Sequence, residues 1–312
     1  MSFKNIVVAG GGVLGSQIAF QTAFWGFNVK VWLRSEGSIE RAKPKFERLK
    51  EIYIKSLNDM DKDSYVYYRA FGPKNSLTHE RIEEMKSMVL DAYNSIILTT
   101  SYSDAFGDAD LVIECVSENP VEKIAFYDEL KKHLPDKTVL TTNSSTMVPS
   151  MFAMHTGRPE KYLALHFANE IWRNNTAEIM GHPGTEEKYY NEVVQFAESI
   201  NMIPLKLKKE QPGYILNTML VPLLNSASYL FAEGIADIET IDKTWTIATG
   251  APMGPFRILD IVGLTTAYNI VSMSPEAKNP DSAQYKIANM LKSYIDKGKT
   301  GINAGEGFYK YK

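Results

Sequence analysis

The segment from Lys4 to Leu33 restricts the fold more than any other. A short apolar run ends at Ala9 and is followed by Gly10-Gly11-Gly12-Val13-Leu14-Gly15. An apolar-periodic stretch, Val13–Phe24, comes next, and then a β-branched and aromatic run, Asn28–Leu33. Gly10, Gly12 and Gly15 have G-x-G-x-x-G spacing. Alone that is a weak signal, because a glycine-rich turn often serves tight packing only; between a strand and a helix it becomes specific. The order strand, glycine turn, helix, strand implies a parallel βαβ unit. Gly10 permits the tight turn, Gly12 lets a pyrophosphate approach the backbone, and Gly15 lets the helix pack on the strand. The helix N-terminus, with Val13 and Leu14 in its first turn, offers free N–H groups to phosphate oxygens. The segment predicts a dinucleotide site built from Gly10, Gly12, Val13, Leu14 and Gly15.

The remaining pattern extends the unit. Strands are expected at Ser95–Thr99, Leu111–Val116, Thr138–Thr142 and Tyr162–Phe167, with two short ones at Glu178–Met180 and Met202–Leu207. Helices are expected from Ser38 to about Ser56, after Thr78, and from about Val121 to His133, with Asp59–Tyr68 irregular. From Pro212 onward the pattern is helical only. Gly213–Ala232 reads as one long helix with Pro222 as a kink. Asp237 caps a helix that stops at Gly250, and Ala267–Met273 and Ser282–Lys297 are two more. The expected fold is an α/β Rossmann-type doubly wound sheet over residues 1–206, followed by an all-α C-terminal domain over 207–312.

Composition narrows the function classes. The chain of 312 residues is 44% apolar and 23% charged, so wholesale disorder is excluded. The net charge of −3, without a basic block carrying interleaved aromatics, argues against nucleic acid as a partner. No apolar run approaches the ~20 residues of a bilayer span, and Ile6–Ala9 is too short for a signal peptide, so no membrane association and a cytoplasmic location are expected. One cysteine, Cys115, rules out an internal disulfide and a multi-cysteine metal site. None of the five histidines has HExxH spacing, so no metal site is assigned. Cys115 is read as packing, since no nearby base would activate it.

An acid at the end of the second strand holds the adenosine ribose in NAD sites. Here Leu33 occupies that position and Arg34 follows. An arginine can hold a 2′-phosphate, and removing the acid removes repulsion. The cofactor is NAD or NADP, with Leu33-Arg34 tilting the reading to NADP. In the alternative, Arg34 is a solvated turn residue and Glu36 serves the ribose.

Several segments resemble the 3-hydroxyacyl-CoA dehydrogenase family. They are Asn143-Ser144-Ser145-Thr146, Leu165-His166-Phe167-Ala168-Asn169, Glu178 and Pro212-Gly213-Tyr214-Ile215-Leu216-Asn217. The helical half adds Gly250–Phe256, Leu259–Leu264 and Gly305-Glu306-Gly307-Phe308-Tyr309. Within the family the diketoreductase subgroup is most similar, over Gln17–Phe24, Leu163–Asn169, Asn174–Glu178 and Thr249–Ile270. The chain departs from the common H-F-F-N-P motif, reading His166-Phe167-Ala168-Asn169-Glu170. It also has no convincing match to the family's CoA-contacting serine and lysine.

The resemblance implies hydride transfer between a nicotinamide cofactor and a 3-hydroxy/3-keto group, as in 3-hydroxybutyryl-CoA dehydrogenase. Reduction of free β-diketo esters or 3-hydroxy acids without CoA is one alternative, and a catalytically silent cofactor-binding protein is another. Such a transfer needs an acid/base near neutrality and donors for the developing oxyanion. His166 fills the first role. Glu178 lies twelve residues later, where a hairpin-like return would bring its carboxylate beside the imidazole. There it would fix the tautomer and favour the imidazolium. Ser145 follows the fifth strand and can donate to the substrate oxygen. Asn217, one turn into the long helix, holds the substrate oxygen or backs His166 by family resemblance; otherwise it makes a helix–helix hydrogen bond. Asn143 is expected at the nicotinamide ribose. Glu118 and Lys123 are assigned to the nicotinamide half by resemblance alone. The partners expected are a small-molecule substrate (an acyl-CoA or β-keto compound) and a second copy of the chain. The homodimer follows from the surplus apolar residues of the long helix, Met219, Leu220, Leu223, Leu224, Leu230 and Phe231.

Overall fold

The structure, a computed structural model, describes residues 3–311. It divides into two compact units, one running through Ile215 and the other from Leu216.

The first unit holds strands β1 (Asn5–Ala9), β2 (Asn28–Trp32), β3 (Ile97–Thr99), β4 (Leu111–Glu114), β5 (Val139–Thr142), β6 (Tyr162–Phe167), β7 (Thr176–Gly181) and β8 (Ile203–Lys206). Its helices are α1 (Val13–Phe24), α2 (Glu36–Lys62), α3 (His79–Ser95), α4 (Tyr102–Phe106), α5 (Pro120–Leu130) and α6 (Glu187–Ser199). The strands form one sheet in the order β3-β2-β1-β4-β5-β6-β7-β8. Neighbours are parallel except β6 and β7, which run antiparallel. This is the doubly wound Rossmann-type sheet expected, with both short strands after β6 in place.

Alternation along the strands builds a core on each face. Ile6 and Val8 join Val29, Val31, Leu111 and Ile113 on one side. Val7 and Ala9 join Val112, Leu140 and Phe126 on the other. Strands covered on both faces bury every position, which is why β4, β5 and β6 show no polar–apolar alternation.

Helix α2 is longer than the sequence pattern suggests, running through Pro44 and taking in Asp59–Lys62 at the start of the stretch expected to be irregular; residues 63–68 are irregular. Its buried residues Ala42, Phe46, Leu49, Tyr53, Leu57 and Met60 recur at helical spacing. Burying that stripe outweighs the single backbone hydrogen bond that Pro44 removes. Helices α4 and α6 lie in stretches the sequence pattern leaves unassigned. Helix α4 is five residues long, too short for a periodic signal.

Helix α7 (Tyr214–Ala232) starts in the first unit and continues into the second. It is followed by α8 (Ile238–Thr249), α9 (Pro255–Val262), α10 (Leu264–Ser272) and α11 (Ala283–Ile295). These enclose Leu224, Ile241, Phe256, Leu259, Leu264, Ile287 and Leu291. Asp237 caps α8, accepting from the Thr240 N–H at 2.7 Å, and Gly250 ends it with φ 71°. Two buried carboxylates hold the tail. Asp242 accepts from the Phe256 N–H (2.9 Å) and the Tyr309 hydroxyl (2.9 Å). Asp260 accepts from the Phe308 N–H (2.8 Å), the Tyr309 N–H (2.9 Å) and the Tyr311 hydroxyl (2.8 Å). The segments Gly250–Phe256, Leu259–Leu264 and Gly305–Tyr309 are thus parts of one hydrogen-bonded structure.

Helix α7, at 19 residues, is long and apolar enough to cross a membrane by length and composition. The sequence pattern hides this because Asn217, Thr218, Asn225, Ser226 and Ser228 interrupt the apolar run without adding charge.

Candidate active site

In a doubly wound sheet, ligands bind outside the carboxyl ends of the strands, where the strand order reverses. Here the reversal lies between β1 and its two neighbours, β2 and β4. Gly10, Arg34, Glu118 and Asn143 all follow carboxyl ends of strands in this region.

The glycine turn fits a dinucleotide. Gly10 has φ 125°, and a Cβ there would run into the Cys115 carbonyl. A Cβ on Gly15 would strike the Gly10 carbonyl, so α1 can approach the turn only with glycine at that position. At Gly12 a Cβ would meet open space, and no side chain caps the helix. Val13 is largely exposed and no acidic residue sits in the first turn. The N–H groups at the start of α1 therefore face outward, free of a competing carboxylate.

At the end of β2, Leu33 is buried in the core and Arg34 extends into solvent, 3.9 Å from Glu122. Ser35 opens α2 without a side-chain cap bond to the backbone. The Ser35 and Ser38 hydroxyls lie 3.0 Å apart, and the Arg41 guanidinium donates to Ser38 at 2.8 Å. Lys45 donates to the Gly11 carbonyl at 2.7 Å, and burial foremost, then the Arg41 charge, lowers its pKa. Arg41 and Lys45 escaped the sequence reading, although Ser38, Arg41 and Lys45 share a helical face just after Arg34. Glu36 accepts from the Thr100 hydroxyl at 2.9 Å.

Lys123 is not the solvated charge that an isolated residue would suggest, whereas Glu118 stays partly exposed. Lys123 is buried, with its ammonium 2.6 Å from the Glu114 carboxylate and 3.6 Å from Glu118. Glu114, fully buried, also accepts from the Tyr127 and Thr142 hydroxyls, each at 2.7 Å. One oxygen of Glu118 gathers the Ser144 hydroxyl (2.6 Å), the Ser145 and Thr146 N–H groups (3.0 Å each) and the Thr146 hydroxyl (2.8 Å). Burial works to raise the Glu118 pKa, but the Ser144 hydrogen bond, the Lys123 charge and the Thr146 bonds outweigh it and leave it lowered. A buried ion pair thus supports a carboxylate that shapes the loop carrying Ser145. Asn143 accepts from the Phe167 N–H at 3.0 Å, tying that loop to β6.

His166 and Glu178 are directly paired residues of the antiparallel β6–β7 ladder. Both are nearly inaccessible, and His166 Nδ1 lies 3.1 Å from Glu178 Oε2. An ionised carboxylate only accepts, so this contact keeps a proton on Nδ1. Nε2 is left to meet Ser145 Oγ at 3.2 Å. The other Glu178 oxygen accepts from the Ile215 N–H at 2.9 Å. Ser145, His166 and Glu178 are thereby brought together in one line. Tyr214, which the sequence reading did not single out, stacks on the imidazole with ring centroids 4.3 Å apart and planes 13° apart. Asn217 belongs to the second unit, where it lines an apolar cleft with Leu220, Leu224 and Leu291. Cys115 is a free thiol whose pKa burial pushes up, in keeping with packing.

The family described as "3-hydroxyacyl-CoA dehydrogenase, NAD binding domain" matches residues 5–211, and its C-terminal domain matches 213–311. A solved diketoreductase, described as carrying out substrate-directed dual catalysis of dicarbonyl compounds, is 46% identical with all of both chains covered and a TM-score of 0.85. A probable 3-hydroxybutyryl-CoA dehydrogenase of Bacillus subtilis is 29% identical over 100% of this chain and 98% of its own length. The mitochondrial hydroxyacyl-coenzyme A dehydrogenase of Homo sapiens is 29% identical over 99% and 91%. The two domain matches follow one another along nearly the whole chain, and the protein therefore belongs to the 3-hydroxyacyl-CoA dehydrogenase family, as an oxidoreductase using a nicotinamide dinucleotide.

Proposed function

We propose that the protein interconverts a 3-keto and a 3-hydroxy group on an acyl-CoA substrate, with His166 as acid/base. The observation that carries this reading is the placement of the imidazole between Glu178 and Ser145. When bound, the nicotinamide supplies the hydride for reduction and accepts it for oxidation. In reduction, Nε2 of the imidazolium gives its proton to the substrate oxygen while the Ser145 hydroxyl donates a hydrogen bond to the same atom. Glu178 holds the ring and stabilises its charged form. Oxidation reverses the proton's path. Asn217, by family resemblance, contacts the substrate oxygen or backs His166. The assembled Ser145, His166 and Glu178 argue against a silent cofactor-binding protein, which needs none of the three.

The dinucleotide would lie on Gly10, Gly12, Val13, Leu14 and Gly15, with Glu118, Lys123 and Asn143 toward its nicotinamide half. For its adenosine half we propose NADP. Leu33 withdraws the ribose-binding acid, and Arg34, Arg41 and the two serines at the start of α2 present donors suited to a phosphate.

A second substrate reading, a free β-dicarbonyl compound without CoA, is favoured by the 46% identity to the diketoreductase against 29% to the CoA-named relatives. The deciding assay follows absorbance at 340 nm while crossing NADH and NADPH with acetoacetyl-CoA and a free 3,5-diketo ester. Turnover of the thioester alone supports the first reading, and turnover of the ester alone supports the second. No turnover of either sinks both. The protein is further proposed to work in the cytoplasm as a homodimer through the apolar surface of α7. Met219, Tyr229 and Leu230 are exposed there, beside a cleft also lined by Ile270 and Ile287.

A further inference from the structure

His166 is held at both nitrogens, but hydrogen bonds in the ring plane do not stop the ring from tilting out of that plane. Tyr214 supplies the missing constraint. Its ring lies nearly parallel to the imidazole, 13° off and 4.3 Å away. Its hydroxyl donates to the Ser144 carbonyl at 2.8 Å, one residue before Ser145. One side chain therefore runs from the face of the histidine to the backbone of the loop that presents the hydroxyl partner.

The backbone around Tyr214 is bent to make this possible. Gly213 has φ 78° and Tyr214 φ 54°, a region bulky L-residues seldom adopt. The Tyr214 N–H is met by the Gln211 carbonyl at 3.0 Å. The next N–H, of Ile215, reaches Glu178 at 2.9 Å. The corner thus touches the dyad twice, with an aromatic ring on the imidazole and an N–H on the carboxylate. An observed backbone outlier beside reacting groups points to a role there rather than to packing alone.

We propose that Tyr214 is a positioning residue for the acid/base, fixing the plane of His166 and its distance to Ser145 while its π face favours the imidazolium. This rests on His166 being the acid/base. Among the described residues of the first unit, the groups facing the imidazole are Glu178 on β7, Ser145 on the loop after β5 and Tyr214 itself. Glu118, Glu178 and Glu114, in that order, act on the Tyr214 hydroxyl. Burial foremost, then these carboxylates, keeps that phenol protonated and hence a donor.

The test separates the stack from the hydroxyl. Tyr214→Phe keeps the ring, and Tyr214→Leu removes both. Histidine side-chain resonances of the full chain are followed by NMR across pH, with His166→Gln identifying the signal. This readout needs no substrate. In Tyr214→Leu the His166 midpoint should fall by about 0.5–1 pH unit, because a cation has lost an aromatic face. In Tyr214→Phe it should stay where the parent has it. With a turned-over substrate, Tyr214→Phe should lower kcat about 3- to 10-fold with KM unchanged, as one hydrogen bond to the loop is lost. Should the leucine chain not fold, Tyr214→Met, of similar bulk without a π face, takes its place. An unmoved midpoint in the leucine or methionine chain overturns the proposal, as does an equal shift in Tyr214→Phe. A wild type that turns over nothing while the midpoints behave as stated overturns the enzyme reading and leaves the stack standing.

Discussion

His166 and Glu178 sit directly opposite one another in the antiparallel β6–β7 ladder, and their side chains meet at 3.1 Å on the same face of the sheet. Register decides this contact. A slip of one residue would turn Glu178 to the other face and leave the imidazole without its carboxylate.

The dyad predicts linked behaviour. His166→Gln keeps a hydrogen-bonding side chain but removes the titrating proton, and should lower kcat by about 10²–10⁴ with cofactor affinity little changed. Glu178→Gln removes the charge that favours the imidazolium. In the reduction direction, where the charged ring is the acid, the pH profile should shift to lower pH. Two groups acting as a unit are non-additive, so the double variant should be little worse than His166→Gln. Steady-state kinetics on the four chains tests this; losses that multiply would give Glu178 an independent role.

Cofactor choice is set at the end of β2. Arg34→Ala and Arg41→Ala should each raise KM for NADPH far more than for NADH, and Leu33→Asp should move preference toward NADH. Equal effects on both cofactors, or a wild type blind to NADPH, would remove the NADP assignment.

Glu118 links pH to the order of the Ser145 loop. Its folded carboxyl titrates below the ordinary value of about 4.3. Its contribution is therefore complete above that value and lost as pH falls through the lower, folded one. Thermal unfolding of wild type should lose stability on acidification through this window, and Glu118→Gln should lose less over the same range. Parallel curves for the two chains would contradict the assignment.

The exposed face of α7 predicts self-association. Light scattering at micromolar concentration should give a dimer mass, and Met219→Lys with Leu230→Lys should shift it toward a monomer, since charges at both positions cannot be buried unpaired. A monomeric wild type would count against the homodimer.

The β1–α1–β2 unit was legible in the sequence because its signals are local. A glycine turn, a strand of period two and a helix of period 3.6 each sit within a few residues of one another. His166 and Glu178 were named through the same locality, twelve residues apart on a single return of the chain, and through family motifs. Long-range convergence had no such signal. Lys123 looks like a solvated charge until the sheet buries it against Glu114. Arg41 and Lys45 are ordinary surface residues of a charged helix until α2 runs back past the glycine turn. Tyr214 is one aromatic in an apolar stretch until a left-handed corner lays it on His166, 48 positions earlier in the chain. Short-range geometry follows from residue type and spacing, and the chain alone states both. Which buried charges find partners, and which ring covers the imidazole, depends on how distant segments pack, and only the folded protein sets that.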